Sequence, residues 1–123
     1  MKKLILLALA LIAMNAKADA PKELQPSLIN LVQKVYAYHR NRGDSDKVSE
    51  AYAGDSVESF AKERETLKQL KQGLKQTCDQ FGLDYASSIS EGFIKLGDDA
   101  QTAFIMADAN KQVVVAMCNY YKW

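Results

Sequence analysis

Few side chains in this sequence are of the types that catalyse reactions or hold metal ions. There is one histidine, His39, and there are two cysteines, Cys78 and Cys118. A serine or cysteine hydrolase needs a histidine base oriented by a third group, and a zinc site needs about four ligands. His39 lies beside Arg40 at the end of a helical pattern, where positive charge complements the helix dipole. The sequence therefore predicts no catalytic residue, no metal site and no cofactor.

The two cysteines are the residues with the clearest chemistry. In an oxidising compartment an even number of cysteines usually forms disulfides, and two cysteines allow one intramolecular pairing. A catalytic dithiol is more often CxxC, whereas Cys78 and Cys118 are 40 positions apart. We expect an intramolecular disulfide, the alternatives being free thiols or an intermolecular pair.

A stripe of basic side chains is the first candidate for partner binding. Four residues recur at steps of four, three and four, which places them on one face of a helix: Arg64, Lys68, Lys71 and Lys75. A solvated helix face is one interpretation of this stripe. The other is a docking surface for an anionic partner, which would be an acidic protein surface, a lipid headgroup or a cell-wall polymer.

The aromatic tail, defined as Tyr120, Tyr121 and Trp123, is the second candidate. Tyrosine and tryptophan are enriched in binding hot spots, but they also fill cores when their polar ends find partners. A Cys78–Cys118 bridge would hold the tail beside the long helix. We then expect one tyrosine to cap the core and Trp123 to be the most exposed of the three.

The elements that position these residues are predicted to be mainly helices. Apolar residues recur at helical spacing over residues 23–42, with Gly43 as the stop. Residues 44–54 are predicted to be a connector, with one or two helical turns around Val48 and Tyr52 as the alternative. A long helix is expected over residues 56–81, capped by Asp55 and ended by Gly82. Residues 84–96 predict a further helix.

The segment 100–123 is ambiguous between a helix and a β-hairpin. Two apolar runs flank Asp108–Lys111, and the consecutive valines at 113–115 favour a strand. The preferred prediction is the hairpin. The fold class is thus a small helical domain with two long helices, a C-terminal hairpin that would make it α+β, and one disulfide. An unpaired hairpin edge would also allow a homodimer.

The N-terminal segment has the pattern of a cleaved signal peptide. Lys2 and Lys3 precede an apolar run of 11 residues, 4–14, and residues 16–18 fit a small-x-small cleavage site. A membrane-spanning helix needs about 20 apolar residues, so no stable membrane anchor is expected after cleavage. The predicted organisation is a signal peptide over residues 1–18 and a single mature domain over 19–123, located in the periplasm.

Cleavage would also change the charge of the chain. The full sequence has 16 basic and 15 acidic residues, a formal charge of +1. Loss of Lys2, Lys3 and Lys17 leaves 13 basic residues against 15 acidic ones, or −2. A nearly neutral chain lacks the concentrated positive field on which bulk nucleic-acid binding depends, so no nucleic-acid partner is expected.

These observations predict an exported periplasmic, non-enzymatic protein that binds another envelope or secreted protein. It would act as an accessory subunit or as an inhibitor of the immunity type. The alternative is a small periplasmic ligand-binding or chaperone-like stress protein. A binding module should have one fixed partner, whereas a chaperone-like protein should bind many unfolded clients.

Overall fold

The computed structural model describes residues 20–123, and within them it contains four α-helices and no β-strand. The predicted signal peptide, residues 1–18, lies outside the described residues. The helices are α1 (Gln25–Asn41), α2 (Asp46–Leu74), α3 (Cys78–Lys95) and α4 (Ala100–Tyr121). The mainly helical prediction is confirmed. The chain forms two compact units, one that ends at Lys62 and one that extends from Glu63 to Trp123, so the boundary falls within α2.

Helix α1 lies where the sequence predicts it. Pro26 occupies the first turn, where its missing N–H costs no helical hydrogen bond. The buried face follows the helical period: Leu28, Leu31, Val32, Val35 and Tyr38. Gly43, with a φ of 95°, ends the helix in the left-handed region that favours glycine.

Helix α2 corrects two predictions, because it begins and ends earlier than the sequence pattern indicates. The predicted connector, residues 44–54, is wrong: its residues from Asp46 onward are helical. The hydroxyl of Ser45 accepts a hydrogen bond from the Val48 amide at 3.2 Å, so the helix is capped by Ser45 and not by Asp55. Ser49, Ala53 and Val57 are fully buried at steps of four, which extends the buried face to this earlier start.

The predicted end of the long helix at Gly82 is also wrong. Helix α2 ends at Leu74, and Lys75 has a φ of 52°. Thr77 then starts α3 with a capping box: its hydroxyl accepts from the Gln80 amide at 3.2 Å, and the Gln80 carbonyl oxygen accepts from the Thr77 amide at 3.1 Å. Phe81, which continues the seven-residue spacing of Leu67 and Leu74 beyond this turn, therefore belongs to the next helix.

The predicted C-terminal hairpin is wrong, since residues 100–121 form one continuous helix, α4. Asp99 caps it by accepting a hydrogen bond from the Thr102 amide at 2.7 Å. This hydrogen bond also lowers the pKa of the Asp99 carboxyl. Val113 and Val114 are fully buried, so their packing outweighs the modest helix penalty of β-branched residues. No strand edge exists in α4, and the route to a homodimer that depended on one is removed.

Candidate functional site

A disulfide fixes the position of the aromatic tail. Cys78, the first residue of α3, and Cys118, in the last turn of α4, have sulfur atoms 2.07 Å and Cα atoms 5.6 Å apart. The predicted cysteine pair is thus confirmed at disulfide distance. Beyond it, Lys122 adopts a left-handed conformation and the Trp123 amide donates to the Cys118 carbonyl at 3.1 Å. This turn folds the tail back on the end of α4.

The basic stripe and the aromatic tail, predicted as separate candidates, meet in the unit 63–123. The Arg64 guanidinium lies 4.6 Å from the centre of the Tyr121 ring, which is cation–π geometry. The Lys71 ammonium donates a hydrogen bond to the main-chain oxygen of Trp123 at 2.9 Å. Two of the four basic residues are therefore engaged with the tail within this unit.

The rings of the tail also contact one another. Tyr121 and Trp123 are nearly parallel, at an interplanar angle of 13° and a centroid separation of 6.3 Å. Tyr120 meets Tyr121 edge to face at 5.0 Å. Arg64, the two tyrosines and Trp123 thus form a connected series of ring contacts.

The side chains of this cluster differ in exposure, and one expectation is corrected. Tyr121 and Trp123 are half-buried, whereas Tyr120 is 43% exposed. Trp123 is therefore not the most exposed residue of the tail, because the turn after Cys118 brings it back to Tyr121 and Lys71. Tyr120 is thus the most exposed ring of the tail.

Lys68 and Lys75, the other two basic candidates, occupy different positions. Lys68 lies on α2 between Arg64 and Lys71, at the spacing of one helix face, and is half-buried. Lys75 lies beyond the end of α2 with a left-handed backbone, so the helical face ends before it. We define the basic–aromatic surface by the residues that contact one another and by Lys68, which shares their helix face: Arg64, Lys68, Lys71, Tyr120, Tyr121 and Trp123.

Residue Glu63, next to Arg64, acts on a different helix. Burial raises the pKa of the Tyr85 phenol on α3, and the negative charge of Glu63 raises it further. The two consecutive residues therefore have different partners. Glu63 raises the pKa of Tyr85 on α3, and Arg64 contacts the Tyr121 ring at the end of α4. This arrangement leaves the positive charge of Arg64 on the side of the aromatic tail.

The sequence did not predict a groove that lies between α3 and α4. It is open to solvent and has a volume of about 410 Å³. Its lining combines small residues, two large apolar ones and three charged ones: Leu83, Ala86, Ser87, Ser90, Glu91, Phe104, Ala107, Asp108 and Lys111. The helical spacing of these positions was a usable signal, but the hairpin prediction separated the two halves of the groove.

His39 has structural partners in the unit that ends at Lys62. Its Nδ1 lies 2.9 Å from an Asp44 carboxylate oxygen, and its ring stacks on Tyr52 at 4.0 Å with an angle of 3°. Nearby, the Tyr36 hydroxyl donates to Asp46 at 2.6 Å, which raises the pKa of that phenol. These contacts connect α1 to the start of α2, so His39 stabilises the turn between the two helices.

Two further findings concern the described residues as a whole. Among residues 20–123, no three His, Cys, Asp or Glu side chains gather in a way that could hold a metal ion. In the same range, no helix combines the length and the apolarity that crossing a membrane requires.

Comparison of the chain with protein-family models, curated proteins and solved structures gives no match.

Proposed function

We propose that this chain is an exported periplasmic protein without enzymatic activity, and that it binds another envelope protein through the basic–aromatic surface. It would serve as an accessory subunit or as an inhibitor of the immunity type. The observation that supports this proposal is the contact of Arg64 with Tyr121, from which the ring series continues to the exposed Tyr120. Arginine and aromatic residues are the types that most often dominate binding energy in protein interfaces.

The surface also has the order that an interface needs before binding. The disulfide, the turn at Lys122 and the Lys71–Trp123 hydrogen bond hold the tail in one arrangement. Groups that are ordered before a partner arrives lose less conformational entropy on association. The positive charges of Arg64 and Lys68 favour a partner with an acidic patch.

A charge reversal tests this proposal directly. The tagged protein and its Lys68→Glu variant would be crosslinked in cells, captured and analysed by mass spectrometry, and the affinity for the recovered partner measured. We expect Lys68→Glu to weaken binding about tenfold, equivalent to about 1.4 kcal/mol. Lys95→Glu is the matched control, because Lys95 is an exposed lysine of the same unit at the opposite end of α3.

Two outcomes would contradict the binding proposal. One is capture of a partner whose affinity is the same for the wild type, Lys68→Glu and Tyr120→Ala. The other is capture of a broad set of unfolded clients in place of a defined partner. Export is tested separately, since a periplasmic protein should be recovered with a mature N-terminus just after Ala18.

The second candidate function is a small periplasmic ligand-binding or chaperone-like stress protein. The observation that favours it is exposed apolar surface: Leu96 and Phe104 are each 68% exposed. A chaperone-like protein should suppress the aggregation of several unrelated unfolded proteins. Phe104→Ser should then reduce this protection, whereas Lys68→Glu should not change it.

A further inference from the structure

The groove between α3 and α4 has a large apolar residue at each end and small residues between them. Leu83 is 57% exposed and Phe104 is 68% exposed, and both line the groove. The small side chains of Ala86 and Ala107 lie among the other lining residues. The groove therefore has a depression lined by small side chains, and exposed apolar side chains at its two ends that fit a depression of the same kind.

The register of α3 and α4 determines which residues share an end of the groove. Cys78 is bonded to Cys118, and a Cβ at Gly82 would overlap the Val115 side chain, so the helices run antiparallel. As the residue number rises along α3, the facing number on α4 falls. Leu83 thus lies towards the Lys111 end, and Glu91 lies towards the Phe104 end.

Two of the three charges of the groove lie at opposite ends along the same direction, and the third, Asp108, lies beside Lys111. Lys111 is near the Leu83 end, and Glu91 is near the Phe104 end. Lys111 approaches Asp108 at 3.9 Å, and Asp108 also accepts a hydrogen bond from Gln112 at 2.8 Å. Among residues 20–123, Glu91 forms no ion pair, so both Glu91 and Lys111 have capacity for a partner of opposite charge.

We propose that this groove is the site at which two copies of the chain associate about a two-fold axis. An antiparallel pairing places the Glu91 end of one copy against the Lys111 end of the other. Phe104 then meets Leu83 of the partner subunit, and Glu91 meets Lys111 of the partner subunit. A two-fold interface makes each of these contacts twice. The occupant is a second copy because Phe104 with Leu83, and Glu91 with Lys111, find their complements on the same groove.

A charge-swap experiment tests the pairing. Protein purified from cells that express the full chain would be studied by sedimentation equilibrium over a wide concentration range. Glu91→Lys places two lysines opposite each other at both ends, and Lys111→Glu does the same with two carboxylates. Each should raise the dimer dissociation constant about 100-fold, because a roughly tenfold loss occurs twice. The double variant E91K/K111E should restore the dissociation constant to within about threefold of the wild-type value.

An apolar pair of variants provides the control. Phe104→Ala should weaken the dimer about tenfold or more, whereas Leu70→Ala, at an exposed leucine of α2 outside the groove, should leave it unchanged. Circular dichroism would verify that each variant keeps its helices.

Three results would overturn the dimer proposal. A wild-type protein that is monomeric at every accessible concentration would do so. A dimer whose dissociation constant is unchanged in both charge-reversal variants would also overturn it. So would a dissociation constant that E91K/K111E does not restore. The third result is a monomer whose groove binds a cationic amphipathic peptide or a small apolar dye, because the occupant would then be another molecule.

Discussion

Removal of the Cys78–Cys118 disulfide should cause a large loss of stability in this chain. The two cysteines are 40 positions apart, so the bond closes a loop of 41 residues. In the chain-entropy model a loop of this length restricts the unfolded state by about 4 kcal/mol at 25 °C. That energy is comparable to a large part of the net stability of a small domain.

The same energy can be expressed as a melting temperature. After cleavage at Ala18 the mature chain would have 105 residues. For a domain of about that size, each 1 kcal/mol shifts the midpoint by roughly 4–8 °C, so we expect a decrease of roughly 15–30 °C. The residual stability would then depend on helix packing alone.

Urea denaturation of the wild type and of the double variant C78A/C118A measures this loss. Trp123 is the single tryptophan of the sequence, so its fluorescence reports on the tail, whereas far-UV circular dichroism reports on all helices. The tail should loosen first, since the bond that holds the last turn of α4 to the start of α3 is gone. Wild-type protein under reducing conditions is a second route to the same state, and the reductant should not affect the double variant.

A loss below about 1 kcal/mol by both routes would refute the reasoning. It would mean that the unfolded chain is already restricted without the bond, or that the native bond is offset by strain. Equal stability with a displaced Trp123 signal would be a different result. It would separate the role of the bond in positioning the tail from its role in stability.

Three further predictions follow from local geometry. Thr77→Ala should lower the free energy of unfolding, measured by urea denaturation, by about 1 kcal/mol because it removes the capping box of α3. Thr77→Ser should restore most of that loss. Two variants that are both as stable as the wild type would contradict this prediction. Gly82→Ala should lower the free energy of unfolding by about 1–3 kcal/mol because the added Cβ would overlap the Val115 side chain. At Gly92 an added Cβ meets no atom within 4 Å, so Gly92→Ala should raise the free energy of unfolding by about 0.5–1 kcal/mol. Equal changes in the two variants would contradict this prediction. Folding raises the pKa of Tyr85 above its ordinary value of 10.0, so the unfolding free energy should be steady below pH 10 and fall as the pH rises through the raised value. Tyr85→Phe should remove part of that alkaline loss, and an unchanged loss would assign it to other groups.

The sequence predicted the helices whose apolar period and stop signals agree. Helix α1 has both a regular buried face and a glycine at the end, and it was predicted nearly to its boundaries. The break at Lys75 was missed because Leu74 and Phe81 continue a seven-residue spacing across it. A local capping box, Thr77 with Gln80, outweighs that long-range pattern.

The error at the C-terminal segment has a different cause. The helix penalty of a valine is about a few tenths of a kcal/mol per residue, whereas burial of a valine side chain is worth about 1.5 kcal/mol or more. Val113 and Val114 are fully buried in α4, so tertiary packing decided the outcome. The contact of Arg64 with Tyr121 could not be predicted for the same reason, because it requires the helical path of α4 and the turn at Lys122.

The meeting of the basic stripe and the aromatic tail changes how mutations of this surface should be interpreted. Arg64 and Lys71 already contact the tail, so truncating them removes contacts within the unit as well as charge. Lys68 has neither contact, so a change there acts mainly on a partner. Tyr120 is exposed but also meets Tyr121 edge to face, so a change there needs the stability of the variant as a control. A loss of binding at Arg64 or Lys71 alone would thus identify disorder of the tail. A loss at Lys68 and Tyr120 with unchanged stability would identify the interface itself.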